Sequence, residues 1–529
     1  MNRMNANKLI ANVGLPPVML MAALLLAVPA GAATPGITGT SFSLSAEAAY
    51  ISQPDGQMVY SWGYGCLNGS WPSTGFLPTA VGGANCPSMQ LPGPTLIVHE
   101  GDHVSVTLTN HLPAAAGNTS ILFPGFDVTT SGGIDGVLTK EAVHNGTVTY
   151  SFDTTGKFGT RTYYSGTQGD LQIEMGLYGA IVVLPASVPA GCRAPSSTLP
   201  DGQTDYRLAA SAYDHSATCY DREYLFQFSE IDPAIHRQVE EQKDLSCSAN
   251  AGCMTIRTEL YHPAYFMING RSMPDDMDPN YAVQYPHQPY NGDPHMHPGE
   301  LVLLRITGQG RWQHPFHEHG NHVRLLARDG NLILSATDPS KLAGPLLFTT
   351  TTTPGQAMDG IFYWTGRGLN WDVYGHGFAG DTSDCFPDAN GYYTRLRTSP
   401  SIPDSAAGEP NYYEWCADHN KPLEGNPFGA VGSGGPVTLP DPNILANGPW
   451  YGGSPYLGPF SSDGSNRAVG PVAIPPSGTV ANDPTSEAGF AYMWHSHNER
   501  EITTNNAFPG GMLMMMLVDP QAFTIDESK

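Results

Sequence analysis

The chain runs to 529 residues, more than one ordinary domain holds, so two or three are expected. Its 60 glycines and 46 prolines exclude a helix-dominated fold and point to an all-β protein with many turns. A formal charge of −24 excludes nucleic acid and anionic membrane surfaces as partners, and suits either solubility or the attraction of cations.

In chain order, residues 1–32 read as a signal peptide. Arg3 and Lys8 open it, an apolar run follows from Val18 to Val28, and Ala30-Gly31-Ala32 offers small residues for cleavage. No twin-arginine pair is present, so any metal is expected to be collected after export. The mature protein is then expected to be periplasmic or extracellular, with no membrane insertion once the signal is removed.

Residues 41–185 read as a first β unit. Thr95-Leu96-Ile97-Val98, His103 to Leu108 and Thr147 to Phe152 carry strand patterns, and Ala180 to Leu184 is a continuous apolar strand. Residues 186–205, rich in Pro, Ser and Gly, form a linker. A second unit spans residues 206–520. It opens with the strand Tyr224 to Phe228, and Ser229 to Glu241 predicts a short helix. Pro298-Gly299-Glu300 before Leu301 to Ile306 repeats Glu100-Gly101-Asp102 before the earlier strand, and Gly511 to Val518 is the counterpart of Gly179 to Leu184. The fold expected is two related Greek-key β-sandwich domains. Residues 367–487 or so, rich in Gly, Pro, Asn and Asp, are an insertion covering one end of the second sandwich.

Eight cysteines fall as neighbours: Cys66 and Cys86, Cys192 and Cys219, Cys247 and Cys253, Cys385 and Cys416. An even number in an exported chain favours disulfides, whose connectivity the sequence leaves open. If neighbours pair, each bridge adds roughly 2–4 kcal/mol.

The chemistry concentrates in His314-Pro315-Phe316-His317-Glu318-His319-Gly320, with His322 beyond, and in His495-Ser496-His497 before the last strand. Residues two apart on a strand share a face, so each pair presents two imidazoles together. One such pair is usually an ordinary surface feature. Two pairs on neighbouring strands would make a nitrogen-rich metal site suited to copper, or less well to zinc or nickel. His295 and His297, with His287 nearby, form a second candidate site or a polar loop. Met512, Met514, Met515 and Met516 suggest copper handling, but alternate positions on a buried strand suit core packing better. Glu499 and Glu501 are candidate catalytic residues, as proton donors or orienting groups, and are equally readable as solvated loop acids.

These motifs resemble those of the multicopper oxidases. His314 to Gly320 is similar to their HPxHxHG, His495-Ser496-His497 stands where they carry HCH, and Gly176-Leu177-Tyr178-Gly179 matches their GLYG. Leu91-Pro92-Gly93-Pro94, Glu100-Gly101-Asp102 and Asn269-Gly270 add to the likeness. The resemblance implies cupredoxin-like domains and copper as cofactor, with dioxygen and a small reductant or metal ion as partners. It implies ligand roles for His317, His319, His495 and His497, with His314, the surviving type 1 position, as a further candidate ligand. It is also compatible with a homo-oligomer, since two-domain relatives build copper sites between subunits.

The departures are as informative. Ser496 replaces the type 1 cysteine, and Glu501 stands where the next type 1 histidine belongs. The first-domain positions of HxHG and HSH read Leu122-Phe123-Pro124-Gly125 and Tyr164-Ser165-Gly166. A blue copper site is therefore not expected, and half of the trinuclear ligand set remains. Asp127 and Tyr164 are candidate substitutes. Three readings follow: a copper oxidoreductase with a non-blue histidine site, a non-catalytic copper-binding or sequestering protein, and an extracellular structural protein on an inherited scaffold.

Overall fold

A computed structural model describes residues 33–199, 202–247, 252–297, 300–364, 386–387, 393–396, 413–415, 453–457, 488–519 and 524–528. The signal-peptide segment, most of the 367–487 stretch, Cys385 and Cys416 lie outside the described residues. Among the described residues no helix is long and apolar enough to cross a membrane.

The architecture is all-β, as two pairs of sheets. In the first half, a five-stranded sheet runs Gly159–Tyr164, Tyr178–Leu184, Leu96–His99, Gly36–Thr38 and Phe76–Leu77. Its partner runs Met58–Cys66, Ser41–Ser52, His103–Asn110, Thr147–Asp153 and Thr129–Gly132. Trp62, Tyr64, Leu96, Val106, Tyr150 and Ile181 meet between the two faces. The second half repeats the plan. One sheet is centred on Arg222–Ile231, Leu301–Gly308 and Ala357–Tyr363; the other on Leu513–Val518, Ala488–Ser496 and His314–Glu318. Phe226, Phe316, Trp494, Met512, Met514 and Met516 fill that core, so three of the four methionines serve packing.

Most strand patterns read from the sequence appear with longer ends, but Thr95 to Val98 shifts by one residue to Leu96–His99, the last strand starts later, at Leu513, and Gly36–Thr38 adds a strand before residue 41. The short helix starts later than expected, at Pro233–Gln242. Ser229 does not cap it, because Ser229, Glu230 and Ile231 continue the strand by pairing with Met267, Phe266 and Tyr265. Asp232 caps it instead, accepting from the Ala234 amide at 2.8 Å, with Pro233 in the first turn. Ile235 and Val239 of this helix pack into the first core, tying the halves together. Gly453–Leu457, inside the long insertion, adds a strand beside Ala488–Ser496.

A buried polar joint fixes one sandwich on the other. Thr160 donates from its amide and hydroxyl to Asp359 at 3.0 and 2.6 Å, Tyr213 donates to the same carboxylate at 2.5 Å, and Arg305 reaches Thr160 at 3.2 Å and Glu223 at 2.9 Å. Three disulfides join the neighbours Cys66–Cys86, Cys192–Cys219 and Cys247–Cys253, and no described cysteine is free.

Candidate metal centre

The strand His314–Glu318 pairs antiparallel with Ala488–Ser496, bringing His317 opposite His495. Strand alternation then divides the residues between two faces. His317 and His319 share the outer face with His495 and His497. Phe316, Glu318, Trp494 and Ser496 point inward, and so does His314.

On the outer face the four imidazoles gather. Ring centroids are 4.8 Å apart for His317 and His319, 4.8 Å for His317 and His497, 5.6 Å for His317 and His495, and 5.2 Å for His319 and His495. His317 and His495 are buried, His319 is half-buried and His497 is exposed, so the cluster opens to one side. Burial and the neighbouring imidazoles push the His317 proton affinity down to about 4, and burial lowers that of His495. Metal ligation requires such neutral rings.

Two of the four rings are spaced as ligands of one metal ion would be. Nε2 of His319 and Nε2 of His495 face each other at 3.3 Å. Two nitrogens on one tetrahedral metal at about 2.0–2.1 Å would lie about that far apart. Behind them, His495 Nδ1 donates to the Ser496 carbonyl at 2.7 Å, and His317 Nδ1 meets the Thr349 hydroxyl at 2.6 Å. Metal-binding histidines are commonly oriented in this way through the other ring nitrogen. As the side chains stand, no three donor groups among the described residues converge on one metal-sized point, so ligation by all four requires ring rotation.

His314 is not part of this cluster. Its Nδ1 lies 2.8 Å from Glu501 and its Nε2 lies 2.9 Å from Glu230, which engages both nitrogens. Burial alone would lower its proton affinity, but the hydrogen bonds and charges of the two glutamates outweigh that and push it up to about 9. Ser496 donates to Glu501 at 2.5 Å and Asn498 does so at 2.8 Å. The position that the resemblance assigns to a type 1 site thus holds a buried carboxylate–imidazole–carboxylate bridge. Glu499, by contrast, is exposed and lies 3.4 Å from the exposed His497. His322 packs against Phe348 at 5.1 Å, and Phe348 in turn lies 5.8 Å from the His317 ring.

The other candidates lie elsewhere. His295 pairs with Leu517, four residues along the last strand from the partner of His495, or about 13 Å away. It is held by Asp519 at 2.7 Å and Asp293 at 3.4 Å. His297 contacts Glu300 at 3.0 Å, beside the Arg222–Glu300 pair at 2.6 Å, in which Glu527 also joins Arg222. His287 bonds the Met89 carbonyl at 2.8 Å. Asp127 is exposed, and Tyr164 packs beside Gly355, beyond the His314 end of the strand.

Sequence reasoning missed Glu230, Tyr261 and Glu174. Glu230 had a signal: Tyr224, Phe226 and Phe228 face the core, and Glu230 shares their parity, so a partner was required inside.

Residues 85–187 match the family model described as multicopper oxidase. Laccase abr2 of Aspergillus fumigatus is 34% identical over 128 residues, covering 23% of this chain and 20% of its own length. Laccase-12 of Oryza sativa subsp. japonica is 37% identical over 109 residues, covering 20% and 17%. The chain therefore matches about a fifth of the length of these relatives. Among solved structures, the multicopper oxidase mgLAC is 14% identical with a TM-score of 0.43, covering 90% of this chain and 86% of its own. The blue copper oxidase of Nitrosomonas europaea is 13% identical with a TM-score of 0.42, covering 90% and 85%. The likeness to multicopper oxidases in sequence thus rests on about a fifth of the chain, with the family model matching in its first half, and supports membership of that superfamily.

Proposed function

We propose that the protein is an exported copper-dependent oxidoreductase working through a non-blue site held by His317, His319, His495 and His497. The observation that carries this is the gathering of four imidazoles on one face of two paired strands, two of them aimed nitrogen to nitrogen at 3.3 Å. Copper bound there would supply one-electron redox chemistry at a nitrogen-ligated centre. The chain's own residues orient the rings through Thr349 and the Ser496 carbonyl, and leave the exposed His497 side open to dioxygen and a small reductant or metal ion.

A second reading, copper sequestration without turnover, is favoured by the bridge at His314, which removes the usual entry point for electrons. Oxygen consumption by the copper-loaded protein with a phenol or a reduced metal ion decides between them. An oxidoreductase consumes many oxygen molecules per chain. Consumption of none, with copper retained, leaves the sequestering reading.

A further inference from the structure

The bridge at His314 extends into a longer chain. Ser496 donates to Glu501, Glu501 meets His314, and His314 meets Glu230. The Tyr261 hydroxyl then lies 3.1 Å from Glu230 and 2.7 Å from Glu174 of the first sandwich. Glu174, Glu230, His314 and Glu501 are at most 1% exposed, whereas Tyr261 is half-buried. Glu230 is further fixed by the Arg311 and Trp312 amides at 2.7 and 2.8 Å. A Cβ at Gly310, where φ is +62°, would sit 2.3 Å from its Oε2. The Arg311 guanidinium lies over the Tyr261 ring at 4.1 Å and reaches Glu259 at 3.3 Å.

Geometry alone fixes a proton here. A neutral imidazole has one N–H and one acceptor nitrogen. His314 meets a carboxylate at both nitrogens, so the second contact requires one more proton, on the ring or on a carboxyl group. Ser496, the next member, is flanked by His495 and His497, whose rings lie on the opposite face of the strand. Charge added on one face is therefore added near a stored proton on the other.

Resting on the copper reading above, we propose that Glu501, His314 and Glu230 form a buried proton store that gives up a proton when a cation enters the four-imidazole site. The proton leaves along the array toward Tyr261, its half-buried member, and so to water. No electron moves in this step, and the one positive charge lost from the inner face offsets part of the charge that the cation brings to the outer face. Ser496 and Tyr261 are positioning residues at the two ends.

The test titrates the metal-free full chain with copper(II) at pH 7.5, reading bound copper together with protons released, by calorimetry in buffers of different ionisation enthalpy. His314→Gln and Glu501→Gln are compared with the unaltered protein. Protons lost by the ligands or by metal-bound water are common to all three and cancel. Both variants are expected to bind the same copper while releasing about one proton fewer per ion. Equal copper with equal proton release overturns the store and leaves the copper site standing. No copper bound by the unaltered protein overturns the copper reading and the proposal with it. The unaltered protein alone gives a second check if the variants do not fold: its proton release should fall as pH rises through about 9, where the store is already empty. A release unchanged between pH 7.5 and 10 overturns the proposal.

Discussion

The two faces of one strand pair have followed different courses. On the outer face of His314–Glu318 and Ala488–Ser496, four imidazoles stand together, and burial lowers the proton affinity of two of them, His317 and His495. On the inner face, one residue away at every step, a histidine has been captured by two glutamates and a serine stands where the family has a thiol. The difference teaches that a strand keeps neighbouring sites chemically separate. Period-two alternation places adjacent residues in different surroundings, so a charge bridge can occupy one face while imidazoles gather on the other.

The largest effect expected from breaking the inner face is on stability. Glu230→Ala leaves His314 and two amides without their buried acceptor, and should cost about 3–5 kcal/mol in urea unfolding. A loss under 1 kcal/mol would mean that the bridge is not buried as described.

Alkali should undo the same bridge. Its folded-state proton affinity, about 9, lies above the ordinary histidine value of roughly 6.5. The stabilisation is therefore complete below the ordinary value and lost as pH rises through about 9, amounting to about 3 kcal/mol. The stability gap between the protein and His314→Gln should shrink over that window; a constant gap would show that His314 carries no extra proton.

On the outer face the readout changes from folding to metal. His317→Ala and His495→Ala should each weaken copper binding at least tenfold, or about 1.4 kcal/mol, with little change in unfolding. Equal affinity in both variants would remove these rings from the site.

The smallest expected change sharpens the contrast best. Ser496→Cys restores a thiol on the inner face, but His314 is engaged and Glu501 replaces the second imidazole. No intense blue absorption should appear on copper loading, since that colour needs two histidines with the thiolate. Blue colour in the single variant would show that the bridge opens readily; S496C combined with E501H is the pairing expected to give it.

Much of this was legible in the sequence because it is periodic. Alternation marked the strands, and spacing by two put His317 with His319 and His495 with His497. The same rule sets His314 on the other face, three residues from His317, so its separation from the cluster was also written there. Glu230 was readable as an acid at a core-facing position. Tyr261 and Glu174 were not, because their contacts join segments 87 residues apart in sequence and leave no local trace. The late start of the helix at Pro233 turned on strand pairing with Tyr265–Ile268, a tertiary contact that outweighed the capping propensity of Ser229.

The most direct test of the account is copper bound per chain, with optical and paramagnetic resonance spectra, for the unaltered protein and for a variant with His317, His319, His495 and His497 all changed to alanine. The account predicts bound copper without blue colour in the first, with nitrogen-ligated resonance, and its loss in the second. Copper retained in the variant, or absent from both, would contradict it.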